Sequence, residues 1–187
     1  MNQSKGVTLI DQDGPLADFE NGFIAKFRDK FPEEQFIPYL FRKSFYIKDD
    51  YPSEMIDKLE NIYHAPGFFR ELPLVPGCME AIHGLLEVGY DVRICTSPLS
   101  HYENCVQEKY GWVEEHFGRD FTKRIILTKD KTLVRGRFLI DDKPEIKGVA
   151  TAEWKHILFD APYNHRLIHR ERISNNWDGW REVLLRR

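Results

Sequence analysis

Gly6-Val7-Thr8-Leu9-Ile10-Asp11-Gln12-Asp13-Gly14 runs from a short apolar, β-branched stretch straight into two carboxylates and a glycine. Residues of the first kind suit an extended chain, and those of the second suit the turn that ends it. The same pattern recurs downstream. Residues 90–95 stop at Thr96-Ser97-Pro98, 124–127 at Thr128-Lys129-Asp130-Lys131, 137–140 at Asp141-Asp142, and 156–159 at Asp160. Helical spacing of apolar residues fills the intervals 16–30, 77–88 and 101–117. Alternation of strand and helix predicts an α/β fold, a Rossmann-like three-layer parallel sheet, and such sheets bind ligands beyond the carboxyl ends of their strands. Residues 31–74 break the alternation with prolines, aromatics and one helix over 53–63. They read as a small helical cap inserted after the first strand. The expected division is a catalytic core of 1–17 with 75–187 and a cap of 18–74.

Composition narrows the function classes. With 187 residues, 42% of them apolar, the chain suits one well-packed domain. The 27 basic and 30 acidic residues leave a net charge of −3, which disfavours binding to a nucleic-acid polymer. No apolar run is long enough to cross a membrane and the start is polar, so a cytoplasmic protein is expected. Cys78, Cys95 and Cys105 are an odd number without metal-ligand spacing and read as buried reduced thiols.

The strand ends carry the chemistry. Asp11 and Asp13 lie two residues apart and leave an extended chain on one side, while Gly14 frees the backbone to turn. Asp141 and Asp142 would repel each other unless a cation relieved them, and oxygen ligands beside a phosphate favour Mg²⁺. Thr96 and Ser97 offer donors to phosphate oxygens, and Lys131 offers a charge that offsets nucleophile and phosphate. Taken singly, each has an ordinary reading: an acidic turn, a helix cap or a solvated lysine. All four in this order, each at a strand end, point to one site.

That ordered set, Asp11-Gln12-Asp13-Gly14, Thr96, Lys131 and Asp141-Asp142, resembles the four signature motifs of the haloacid dehalogenase superfamily. Longer strings resemble its 5'(3')-deoxyribonucleotidases: Asp13-Gly14 through Leu16-Ala17-Asp18-Phe19-Glu20, Pro66-Gly67-Phe68-Phe69, Ile94-Cys95-Thr96-Ser97-Pro98, Glu108-Lys109-Tyr110, and Leu139-Ile140-Asp141-Asp142-Lys143. Pro15 departs from the pattern, standing where an aliphatic residue is usual, and Ser100 lies where some members carry a lysine.

The resemblance implies a Mg²⁺-dependent phosphatase of nucleoside monophosphates, pyrimidine deoxyribonucleotides such as dUMP and dTMP, and a homodimer. Asp11 would be the nucleophile and Asp13 the general acid and base. Asp11, the backbone carbonyl of Asp13, Asp141 and Asp142 would hold the metal. Thr96, Ser97 and Lys131 would bind phosphate, and Phe19, Phe45, Tyr46 and Tyr63 would wall the base. The pair Phe45-Tyr46, preceded by Arg42-Lys43, is expected to face the site with those basic residues beside it. Two alternatives stay open: a phosphatase of another small phosphoester such as a phosphosugar, and a non-catalytic nucleotide sensor on the same fold.

Overall fold

A computed structural model describes residues 5–186; the first four residues of the polar start lie outside it. The strands are β1 (Val7–Ile10), β2 (Asp91–Thr96), β3 (Ile125–Leu127), β4 (Phe138–Asp141), β5 (Lys155–Phe159) and β6 (Arg172–Ile173). They form one six-stranded sheet in the order β3-β2-β1-β4-β5-β6, with every neighbouring pair parallel. The chain moves outward from β1 to β3 and then returns to place β4 on the other flank of β1. The order reverses between β1 and β4, and in open sheets of this kind ligands bind beyond the carboxyl ends of the strands at that point.

Central parallel strands are covered on both faces, which is why β1 and β4 read as nearly unbroken apolar runs. Their registered pairs alternate between two cores. Ile10 and Ile140 join the large core that includes Phe23, Phe27, Ile82, Leu85 and Trp112. Leu9 and Leu139 face the opposite way, with Cys95, and meet Val134, Ile146 and Trp154. Helices α1 (Phe19–Lys30), α3 (Cys78–Glu87) and α4 (Cys105–Phe117) supply residues to the first core. On the second face, the cover comes from residues between the strands.

Two helices start later than their apolar spacing suggests. Residues 12–17 form a turn in which the Gln12 carbonyl accepts from the N–H groups of Leu16 and Ala17. Helix α1 begins only after Asp18, whose carboxylate accepts from the Asn21 N–H at 3.1 Å. Helix α4 begins at Cys105, four residues past the sequence expectation, leaving a loop after β2. Between α1 and α3 lie 3₁₀ turns and the helix α2 (Ile56–Tyr63), preceded by the 3₁₀ turn Ser53–Met55. Strand β6 and the short helix α5 (Trp180–Leu184) had no counterpart in the sequence reading.

Pro15 is buried, and its carbonyl accepts the indole N–H of Trp177 at 2.7 Å. Trp177 holds a left-handed backbone, φ 66°, to make that reach. The tail thereby closes over the turn that follows β1. Cys78, Cys95 and Cys105 are buried and unpaired, and burial pushes the Cys95 thiol up to about 12, a pKa at which it is inert.

Candidate active site

Asp11 leaves β1 still tied to the sheet, since its N–H donates to the Ile140 carbonyl at 2.9 Å. One oxygen of its carboxylate accepts the Gln12 N–H at 2.8 Å and lies 2.9 Å from the Lys131 ammonium. Lys131 reaches Asp141 as well, at 2.6 Å, so one buried cation spans the ends of β1 and β4. The other oxygen of Asp141 accepts the Lys143 N–H at 2.9 Å.

Asp142 completes the cluster. Its Oδ2 accepts the Tyr163 hydroxyl, while its buried Oδ1 has no hydrogen-bond partner. Asn164 secures this corner by donating to the carbonyls of Asp142 at 2.9 Å and Phe159 at 2.8 Å. Gly14 is required against it: at φ +92°, a Cβ there would lie 2.8 Å from the Asp142 carboxyl carbon.

Asp11, Asp141 and Asp142 bring carboxylate oxygens within 4.8 Å of one another. Burial, opposed by Lys131 but aided by Asp141, pushes Asp11 up to about 6. Burial, with Asp141 and Asp11, pushes Asp142 well above the usual carboxylate range. One lysine does not neutralise three carboxylates, so a second cation would hold them in their charged forms. Hard oxygen donors and the unpartnered Asp142 Oδ1 fit a small divalent ion such as Mg²⁺.

Asp13 stands apart from that trio. Its Oδ2 pairs with the Lys109 ammonium at 2.5 Å, and its Oδ1 is unpartnered. Its carboxylate is therefore outside the acidic cluster, whatever its backbone carbonyl contributes. Lys109, 1% exposed, also donates to Thr96 Oγ1 at 3.1 Å and sits 4.9 Å from the centroid of the Phe69 ring. Sequence reasoning missed Lys109, although it shares a helical face with Cys105, Trp112 and Val113. A lysine within an apolar stripe was the available signal. Tyr163 and Asn164 were missed too, and no local pattern marked them.

Thr96 ends β2 fully buried, and Ser97 follows it half-buried. The turn carrying Lys131 is fixed from three sides. Asp130 accepts the Thr132 N–H at 2.9 Å and the Val149 N–H at 2.8 Å, and the Trp154 indole donates to the Lys131 carbonyl at 3.1 Å.

The four aromatics fall into two groups. Phe45 and Tyr46 meet edge to face at 5.0 Å, and Phe45 lies 5.9 Å from the ring of Tyr163. The Lys143 ammonium stands 5.1 and 5.3 Å from those two ring centroids and donates to the Tyr46 hydroxyl at 3.1 Å. This pair borders the Asp142 corner. Phe19 packs instead with Tyr63, Phe68 and Phe69, next to Lys109. Tyr63 lines a cleft of about 220 Å³ with His64, His101 and Asn104. One expectation is corrected here. Arg42 does not face the site beside Tyr46 but turns inward, buried between Glu20 and Asp50, because two carboxylates claim its guanidinium.

Residues 5–187 match the family model described as 5' nucleotidase, deoxy (pyrimidine), cytosolic type C protein. The chain is 45% identical to the human cytosolic-type 5'(3')-deoxyribonucleotidase, covering 94% of this chain and 92% of that one. Identity to the human mitochondrial enzyme is 41%, covering 94% and 81%. A Bordetella pertussis protein, provisionally assigned as a 5'(3')-deoxyribonucleotidase, is 54% identical over 94% of each chain. Among solved structures, a haloacid dehalogenase-like protein from Agrobacterium tumefaciens superposes with a TM-score of 0.60 at 14% identity, covering 96% of this chain and 97% of its own. A haloacid dehalogenase family hydrolase from Deinococcus radiodurans, solved with phosphate and sodium bound, gives 0.57 at 14% identity, covering 95% and 94%. At that identity the likeness shows the shared fold.

Proposed function

Because the chain belongs to the cytosolic type C family of deoxyribonucleotide 5' nucleotidases, we propose that it hydrolyses deoxyribonucleoside monophosphates, pyrimidine ones foremost, through a phosphoryl group carried on Asp11. The observation that carries this reading is the division of labour between two aspartates two residues apart. Asp11 sits in the carboxylate cluster on Lys131, while Asp13 sits outside it on Lys109. A nucleophile and a proton carrier need such different surroundings.

In this scheme the Asp11 carboxylate attacks phosphorus, and the bond to the nucleoside oxygen breaks. Lys109 holds Asp13 by Oδ2, leaving Oδ1 to give the departing oxygen its proton. Asp13 then takes a proton from the water that cleaves the acyl phosphate, which returns Asp11 to its carboxylate. Lys131 offsets charge on Asp11 and on the phosphoryl oxygens, and Thr96 and Ser97 supply donors at the end of β2. Asp11, Asp141, Asp142 and the backbone carbonyl of Asp13 would hold Mg²⁺, which when bound supplies charge neutralisation and orients the phosphate. A cytoplasmic homodimer belongs to the same proposal.

A phosphate-release screen over ribo- and deoxyribonucleotides, phosphosugars and p-nitrophenyl phosphate tests this reading. Deoxyribonucleotides should lead; a preference for phosphosugars would reject the substrate class and leave the chemistry standing. Stripping divalent metal should abolish turnover, and adding Mg²⁺ should restore it. Mg²⁺ should also raise the unfolding temperature, because binding to the folded state alone stabilises it. Undiminished turnover in excess chelator would remove the metal from the scheme.

Tyr46 gives a separate check on the base wall. Tyr46→Ala should raise KM for dUMP about tenfold while p-nitrophenyl phosphate, which needs little of the wall, changes far less. Equal losses on both substrates would make Tyr46 a structural residue.

A further inference from the structure

Arg42 follows the 3₁₀ turn Tyr39–Phe41, between α1 and α2, and is only 3% exposed. Every nitrogen of its guanidinium is engaged. Nε donates to Asp50 Oδ2 at 2.6 Å, and Nη1 donates to both Glu20 oxygens at 2.6 Å. Nη2 donates to the carbonyls of Ser44 at 2.9 Å and Phe45 at 3.4 Å. Asp50 Oδ2 in turn accepts the N–H groups of Lys43 at 3.1 Å and Ser44 at 3.2 Å. Residues 43–50 thus fold around one guanidinium.

That guanidinium also lies 5.8 Å from the centroid of the Tyr163 ring, and Tyr163 gives its hydroxyl to Asp142. On the far side, Glu20 belongs to α1, which follows the turn carrying Asp13. Arg42 is therefore linked to three places: the helix behind the catalytic turn, the main chain of Phe45, and the ring that holds Asp142. Burying one cation with two carboxylates is costly unless every group is paired, and here the return is a fixed geometry.

We propose that Arg42 is the positioning residue that sets the Phe45–Tyr46 wall against the Asp142 corner, and so governs which nucleotide the site accepts. The inference rests on the nucleotide reading above. Arg42 is buried and bonds directly to the main chain of Ser44 and Phe45, whereas it meets the Asp142 corner only across the Tyr163 ring and the Asp13 turn only through Glu20, so its main influence falls on recognition. Lysine cannot replace it, since a single ammonium lacks the planar fork that serves five acceptors at once.

The test uses the full chain with Mg²⁺, comparing dUMP, UMP and p-nitrophenyl phosphate. Arg42→Lys should raise KM for dUMP about tenfold, hold kcat/KM for p-nitrophenyl phosphate within about twofold, and narrow the preference for dUMP over UMP. In a Tyr46→Ala background the same change should cost less than about twofold more, because the wall it positions is already lost. Equal losses on nucleotide and p-nitrophenyl phosphate, or effects that multiply with Tyr46→Ala, would overturn the assignment. Should Arg42→Lys fail to fold, Asp50→Asn, which can still accept from Lys43 and Ser44, takes its place with the same expected split. If the wild type cleaves p-nitrophenyl phosphate but no nucleotide, the nucleotide reading and this inference fall together. If it prefers nucleotides and the variants keep that preference unchanged, only the Arg42 assignment falls.

Discussion

Asp11→Asn should lower kcat by at least about a thousandfold, a barrier increase of about 4 kcal/mol. The amide matches the carboxylate in shape and can still accept the Gln12 N–H, but it has no anionic oxygen with which to attack phosphorus. Folding should not suffer. Asp11 shares its surroundings with Asp141 and Asp142, so removing its charge relieves repulsion even as it weakens the pair with Lys131. The thermal midpoint should hold or rise while turnover vanishes. A purified variant that kept more than about a tenth of the wild-type rate would end the covalent scheme, since that loss is under about 1.4 kcal/mol.

Asp13→Asn should fail in a different way, and the difference carries the information. Loss of a general acid costs about 10²–10⁴-fold when the leaving group is a poor one, such as the alkoxide of a nucleoside. p-Nitrophenolate leaves without a proton, so the first step should survive with that substrate and the second should stall. Rapid mixing should then give a burst of p-nitrophenol close to one per site, with slow turnover after it. Intact mass measurement on the quenched protein should find a phosphoryl group attached. Equal loss for good and poor leaving groups, with no burst, would strip Asp13 of its proton-transfer role. Lys109 sharpens the expectation, because the amide would lose the ion pair at Oδ2 and leave a buried ammonium with no anionic partner there, only neutral ones such as Thr96 and the Phe69 ring.

These expectations trace back to residues of unequal legibility. The strand-end groups Asp11, Thr96 and Asp141-Asp142 could be read because each closes an apolar run, and a parallel sheet lines up such ends by topology alone. Lys109 could not be read in the same way. Its place in an apolar stripe marks it as buried, but its partner Asp13 is 96 positions away in the chain and nothing local names it. Position in the chain puts Arg42 beside the Phe45-Tyr46 pair and toward the site, and nothing local shows that Glu20 and Asp50 converge on it. The start of α1 is displaced because apolar spacing persists through Leu16 and Ala17 although the turn on the Gln12 carbonyl has already claimed their N–H groups. Two-residue β6 offers no period to detect. Periodicity exposes what repeats along the chain, and pairings between distant single side chains do not repeat.

The contact between Trp177 and Pro15 bears on the order in which the molecule can be finished during synthesis. Its two partners are 162 positions apart. The turn that carries Asp13 and Pro15 leaves the ribosome well ahead of Trp177, 162 positions later in the chain, so that turn waits for its support. Ribosomes add about 5–20 residues per second, which puts seconds between the two events. A nascent chain can pair β1 with β2 well before then, yet the Pro15 carbonyl gains its indole partner only when the tail folds back. Completion of this turn is tied to the emergence of Trp177.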